Sequence, residues 1–389
     1  MKRVAMLMSG GVDSSVSAAL LKNQGYEVLG FYILGWLGTP DFPCPWQKEE
    51  KDAREVANVL GIPFHTINLS KVYEEEVINR FFAGYQAGVT PNPDVLCNRE
   101  IKFKALWKAI RQFECDYIAT GHYARCQQTA ISHQLSANGE ADSRQPLAES
   151  SRIFKPKDSV KDQTYFLWGI EKSILPKIIF PLGGLTKPEV RKLAKKYHLP
   201  TATKKDSQGI CFVGPLKVRQ FLASRVKTKP GDVYLIDGRK IASHEGVELY
   251  TIGQRLAAGS VDWTGDVPPL FIIAKDLKNN RLIVGTDSQT FDSMLIASSL
   301  NWLEEPKSQT FEALAKIRYR QIDEVITASK FGSKWKINFS KPVRALTTGQ
   351  SIVFYAPKGQ LLGGGIIELV PQQDETVKRL AKTLDSAKV

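Results

Sequence analysis

An apolar run from Val4 to Met8 passes without a break into Ser9-Gly10-Gly11-Val12-Asp13-Ser14-Ser15, and a helical pattern follows at once. Val16, Ala19 and Leu20 share one face of that helix, and Gly25 stops it. Few architectures can use such a junction. Glycines between a strand and a helix let backbone N–H groups approach an anion, and the helix N-terminus favours negative charge. Ser9, Ser14 and Ser15 add hydroxyl donors. The string has no Gly-Lys-Ser/Thr, so the site need not hold β- and γ-phosphates through a lysine. A lone Gly-Gly would read as a tight capped turn; the whole string in this setting points to a phosphate site.

The same rhythm continues downstream. Strands are predicted over 26–34, 64–69 and 116–119, and helices over 49–60, 72–86 and 99–113. Strands alternating with helices predict an α/β fold with a doubly wound parallel sheet. Residues 127–150, rich in Ser, Ala, Gln and Asn, read as a solvated insertion. Thr186-Lys187-Pro188-Glu189 reads as a capping box opening a basic helix. Beyond about Val213 the pattern turns to β, with Asp237-Gly238 and Asn279-Asn280 placed as hairpin turns. The expected organisation is a catalytic domain over 1–213, a small mostly β domain over 214–286, a β-barrel-like domain over 287–371, and a frayed helix or charged tail over 372–389.

The phosphate loop resembles that of the N-type ATP pyrophosphatases, which cleave ATP to AMP and pyrophosphate and leave AMP on a substrate oxygen. That resemblance implies ATP as substrate, with Asp13 helping to bind Mg²⁺ directly or through water. Adenylation alone leaves GMP synthetase, argininosuccinate synthetase, NAD synthetase and tRNA-modifying enzymes open.

Charge and cysteine usage narrow the choice. Lys and Arg number 53 against 40 Asp and Glu, a net charge of +13 over 389 residues, which suits a polyanionic partner as well as an ordinary basic surface. No apolar run approaches a membrane span and no signal peptide is visible, so a cytoplasmic protein is expected. The cysteines are Cys44, Cys97, Cys115, Cys126 and Cys211, too scattered for a disulfide framework and without a CxxC pair. Cys97 ends the string Thr90-Pro91-Asn92-Pro93-Asp94-Val95-Leu96-Cys97, near a predicted helix start that would lower its pKa and expose a thiolate. Cys211 follows Lys204-Lys205-Asp206-Ser207-Gln208-Gly209-Ile210, a basic segment with a glycine hinge. Cys115 and Cys126 fit packing, and Cys44, between two prolines, is undecided.

Taken in order, Ser9 to Ser15, Thr90 to Lys102, Gly121-His122-Tyr123, Lys161 to Leu167, Asp206 to Phe212 and Tyr250 to Arg255 resemble the strings of the tRNA-specific 2-thiouridylase family. The resemblance spans most of 1–370. It implies ATP on Leu7, Met8, Ser9, Gly10, Gly11, Val12, Asp13 and Ser14, with Ile33 and Gly121 near the adenosine. It implies a target base approached by Asn92, Pro93 and Asp94, with Asp94 also in the catalytic set. Cys211 receives sulfur as a persulfide from a donor protein, a desulfurase or relay, and Cys97 is the nucleophile working against it. Sulfur is released through a Cys97–Cys211 disulfide or as hydrogen sulfide, with neither route favoured by sequence. His122, Lys161, Asp162, Gln163, Arg318, Tyr319 and Gln350 would contact tRNA. A monomer acting on tRNA without a membrane is implied. The chain departs from the family pattern at Leu256-Ala257-Ala258, at Pro269-Leu270-Phe271 and in the length of the 127–150 insertion. A small-molecule ATP-pyrophosphatase ligase and a non-enzymatic RNA-binding protein are the alternative readings.

Overall fold

The computed structural model describes residues 1–129, 150–206, 209–213, 218–256 and 268–386. Most of the 127–150 insertion, the Ser207-Gln208 pair and the Ala257-Ala258 pair lie outside the described residues. Strand β1 (Arg3–Leu7) leads through the glycine turn into helix α1 (Val12–Asn23), followed by β2 (Glu27–Leu34), helix α2 (Trp46–Leu60), β3 (Phe64–Asn68) and β4 (Tyr117–Ala119). A hairpin, β5 (Arg125–Thr129) and β6 (Ser150–Phe154), precedes the short strand β7 (Ile178–Ile179). The sheet runs in the order β3-β2-β1-β4-β7 with every pairing parallel. Both faces are covered, so β1 alternates between two apolar cores. Val4 and Met6 pack with Val16, Val56 and Val190, while Ala5 and Leu7 pack with Phe31, Tyr73, Cys97 and Ile101.

The strand order reverses between β1 and β4, the point at which open parallel sheets form a crevice beyond their carboxyl ends. The Ser9 loop leaves β1 there, and Thr120-Gly121-His122 leaves β4 beside it. Helix α3 (Lys187–Lys196) returns against α1, opened by the Thr186/Glu189 capping box.

Two β units follow. Strands β8 (Gly231–Leu235), β9 (Lys240–His244), β10 (Phe271–Asp276) and β11 (Arg281–Gly285) form a sheet in the order β10-β11-β8-β9. Strands β12 (Phe291–Trp302), β13 (Thr310–Lys316), β14 (Glu324–Phe331), β15 (Lys334–Arg344), β16 (Ser351–Tyr355) and β17 (Leu361–Leu369) close a barrel. Closure leaves no free sheet edge.

Two local expectations give way. The charged stretch after Pro371 is not a frayed tail. It forms helix α4 (Pro371–Ser386), whose Val377, Leu380 and Leu384 pack on Ile273, Ala274 and Ile283 of β10 and β11. The helix predicted from Arg99 begins earlier, at Pro93, capped by Asn92 Oδ1 accepting from the Val95 N–H at 3.3 Å. Segment Cys97–Ala105 of that helix is π-wound, with the Leu106 N–H donating to the Ile101 carbonyl five residues back.

Candidate active site

The phosphate loop is held open by its own backbone. Gly10 has φ +70°, and a Cβ there would lie 2.3 Å from the Glu49 carbonyl oxygen. No side chain caps α1, whose N-cap is Gly11, so its first N–H groups face the crevice. Ser14 Oγ accepts from the Ser9 N–H at 3.2 Å and donates to the Gly11 carbonyl at 3.0 Å, which sets the curl of the loop. Gly121 closes the other side: a Cβ on it would come within 2.8 Å of the Ser14 nitrogen. Leu7, Met8, Val12 and Ile33 are buried apolar side chains and form the floor beneath. Asp13 receives the Lys187 ammonium at 2.7 and 2.8 Å on its two oxygens and the Tyr123 hydroxyl at 2.9 Å. Lys187 also meets Asp206 at 2.7 Å, and Lys204 donates to the Gly10 carbonyl at 3.0 Å. Two ammoniums therefore flank an uncapped helix N-terminus.

The second half of the site is a thiol chamber. Cys97 and Cys211 are both free thiols, and their sulfurs are hydrogen-bonded neighbours. Three bonds pin the Cys211 segment: its N–H donates to Asp94 Oδ1 at 3.1 Å, its carbonyl accepts from the Tyr73 hydroxyl, and the Phe212 carbonyl accepts from Cys44 Sγ at 3.2 Å. Phe212 takes φ +63° to make this turn, its ring edge-on to Tyr73. The expected swinging segment is docked here.

The electrostatics reverse the expectation for Cys97. It lies one turn inside a helix that starts at Pro93, fully buried, and burial followed by its bond to Cys211 pushes its thiol well above the ordinary value. The helix N-terminus is elsewhere, so it exposes no Cys97 thiolate. Cys211 is the acidic member: the hydrogen bond from Cys97 and the Lys102 charge outweigh desolvation and hold it below the usual thiol value. Burial raises Asp94 despite the Cys211 N–H and the Lys102 charge.

The residues expected at RNA divide into two groups. Asp162 is buried, accepting from Thr164 at 2.6 Å and from Lys316 at 3.1 Å, and Gln163 Oε1 accepts the Tyr123 N–H at 2.9 Å. His122 is buried with Nδ1 2.7 Å from the Thr120 hydroxyl, held neutral by desolvation and then by Lys102. These side chains face the protein's interior. Lys161, paired with Asp206 at 2.7 Å, and Tyr319 are more open. Arg318 donates to the Ile252 carbonyl, the Ala345 carbonyl and the Thr347 hydroxyl at 3.2, 2.9 and 3.1 Å, and Gln350 donates to the Thr90 carbonyl at 2.8 Å. Arg318 and Gln350 line a pocket with Thr90, Thr251 and Gln254, where the three units meet. Asn92 and Pro93 sit at the helix start beside it.

Sequence reading missed Lys187, Lys204, Tyr73 and Lys102. Lys187 had a signal, as the first residue after the capping threonine; the others are brought in only by packing.

Family models match three stretches: "tRNA methyl transferase HUP domain" over 2–215, "tRNA methyl transferase PRC-barrel domain" over 219–286 and "Aminomethyltransferase beta-barrel domain" over 292–367. A tRNA-specific 2-thiouridylase MnmA of Streptococcus sanguinis (strain SK36) is 42% identical over 374 residues, 94% of this chain and 95% of the relative. One of Streptococcus pyogenes serotype M49 (strain NZ131) is 42% identical over 373 residues, again 94% and 95% of the two chains. An NMN synthetase structure from Francisella tularensis aligns at 18% identity and TM-score 0.32, covering 53% of this chain and 66% of that one, too low to carry weight. Identity at this level along almost the whole length, across the loop and both thiol strings, means that the chain belongs to the tRNA-specific 2-thiouridylase family.

Proposed function

We propose that this chain carries out ATP-dependent 2-thiolation of the wobble uridine of tRNA, giving 2-thiouridine, AMP and pyrophosphate. The observation that carries the reading is the docking of Cys211 on Cys97 and Asp94, two reactive thiols far apart in sequence beside one carboxyl group. A methyl transferase, the description the family models print, has no need of such a pair.

The uridine C2 oxygen is a poor leaving group. Its attack on the α-phosphorus of ATP expels pyrophosphate and converts the oxygen into AMP. The uncapped α1 N-terminus, Lys187 and Lys204 supply positive potential for the phosphates. A single loop carboxylate, Asp13, fits a Mg²⁺ whose other ligands are phosphate and water, and it would hold the ion once Lys187 turns to phosphate. Such an ion neutralises charge on the leaving pyrophosphate. Asn92, Pro93 and Asp94 face the base, with Asp94, its pKa raised by burial, serving as proton carrier.

A persulfide on Cys211 then attacks C2 through its terminal sulfur, and AMP departs. The contact between the sulfurs supports the disulfide route over hydrogen sulfide release. Cys97 attacks the inner sulfur of Cys211, the Cys211–sulfane bond breaks, sulfur stays on the uridine, and a Cys97–Cys211 disulfide remains for a thiol reductant to reset. We assign catalysis to 1–213 and tRNA contacts to 214–286 and 287–371 with Lys161, Arg318, Tyr319 and Gln350, in a monomer of the cytoplasm. Among the described residues no helix is long and apolar enough to cross a membrane.

The test supplies ATP, Mg²⁺, unmodified tRNA and a desulfurase relay, and measures nucleosides by mass spectrometry with AMP in parallel. Matched 2-thiouridine and AMP are expected. ATP–pyrophosphate exchange that ignores tRNA, with no thionucleoside, would instead indicate a small-molecule ligase.

A further inference from the structure

The winding of one helix brings a cation to the sulfur chamber. Lys102 lies five residues after Cys97 within the π-wound segment Cys97–Ala105. In an α-helix five residues turn about 140° past a full circle, which would send Lys102 away from the thiol. With i→i+5 bonds, residue i+5 returns over residue i. The ammonium is then fixed rather than free: it donates to Asn98 Oδ1 at 2.9 Å, and Asn98 Nδ2 is tied to the Phe166 carbonyl at 3.1 Å.

The groups around Cys211 come from every element packed on it. The helix supplies Asp94, Cys97 and Lys102; Tyr73 and Cys44 approach from two other segments, and His122 stands behind Lys102. Tyr73 and Cys44 are both raised by burial and stay protonated, and His122 stays neutral. Although burial works to discharge Lys102, the charges of Cys211, Cys97 and Asp94 keep it above the usual lysine value. Lys102 is thus the cation acting on both sulfurs.

We propose that Lys102 is a positioning residue for sulfur transfer, holding the Cys211 sulfur as the anion that accepts sulfur while Cys97 stays protonated until its turn. The inference rests on the thiolation reading only for its consequence. In the loading step the Cys211 thiolate attacks the outer sulfur of a donor persulfide. A sulfur–sulfur bond forms at Cys211, the donor's sulfur–sulfur bond breaks, and the donor leaves as thiolate with the electron pair, so no external oxidant or reductant enters. A neutral side chain in place of Lys102 leaves that anion facing Asp94 in a desolvated chamber.

The experiment follows iodoacetamide labelling of Cys211 in the reduced full-length chain against pH, by peptide mass spectrometry, in wild type, Lys102→Gln, Lys102→Arg and Asn98→Ala. Lys102→Gln should slow labelling at pH 7 roughly tenfold, the effect of one pKa unit, and move the pH midpoint upward. Lys102→Arg should keep the wild-type midpoint, and Asn98→Ala, which releases the ammonium, should fall between. Thermal melts confirm folding of each. A wild-type Cys211 profile in folded Lys102→Gln overturns the proposal. If Lys102→Gln does not fold, a wild-type profile in Asn98→Ala, or a raised midpoint in folded Lys102→Arg, overturns it instead. Labelling needs neither ATP nor tRNA, so its outcome is independent of whether the chain thiolates tRNA.

Discussion

The phosphate loop and the thiol chamber face the same crevice but are built in opposite ways. The loop is local. One string, Ser9 to Ser15, supplies its turn, its glycine conformation and its helix N-terminus, and distant groups such as Gly121 and Lys187 only close over it. The chamber is assembled from Cys44, Tyr73, the 94–102 helix and Cys211, and none of these segments has a site alone. A local site tolerates loss of a neighbour, because its backbone geometry persists. An assembled one fails when a single tie is cut.

The widest gap between the two regions should come from Asp13→Ala. Loss of the loop carboxylate should lower AMP formation about 100-fold, in the range typical of metal-site substitutions, while Cys211 still accepts labelled sulfur. Undiminished AMP release would remove Asp13 from the phosphate chemistry. In the chamber, Cys97→Ala removes the first cause of the low Cys211 pKa. A thiol with a lowered pKa stays anionic to lower pH, so wild-type loading should be lost only as pH falls through that lowered value. In Cys97→Ala the acid edge should move upward, cutting loading several-fold at pH 7. An unmoved edge would mean the two sulfurs act separately.

Smaller effects sharpen the contrast. Tyr73→Phe deletes the donor to the Cys211 carbonyl, a loss of about 1 kcal/mol in local docking, and should speed amide exchange over 209–213 while AMP formation is unchanged. Unchanged exchange would leave the segment held by Asp94 alone. The least effect on chemistry is expected from Arg318→Ala. With the guanidinium spread over three protein acceptors, the salt slope of tRNA binding should flatten by less than about one unit, with a lower melting temperature from the lost ties. A full-unit change without loss of stability would return Arg318 to a phosphate.

This contrast also governs what could be read from the chain. The parallel sheet, the loop and the capping box were legible because each is encoded in contiguous spacing. Cys97 and Cys211 stood out as candidates, yet their acidities were not legible. The helix begins at Pro93 rather than Arg99, which buries Cys97 past the helix N-terminus. Lys102 was hidden because a five-residue spacing does not share a face under the α-helical period, and nothing in the sequence announces π winding. Asp162 and His122, expected at RNA, are buried partners of Lys316 and Thr120, a distinction that only tertiary contact makes. The C-terminal charges likewise masked Val377, Leu380 and Leu384, three residues spaced to bury one helix face.

The central claim is a division of labour: Cys211 carries the sulfur and Cys97 works against it. Radiolabelled sulfur from a desulfurase relay, supplied to Cys97→Ser and Cys211→Ser in turn, tests it directly. Cys97→Ser should retain protein-bound label that a reductant removes, Cys211→Ser should retain none, and neither should make 2-thiouridine. Label that persists on Cys211→Ser and is missing from Cys97→Ser would reverse the assignment and contradict the account.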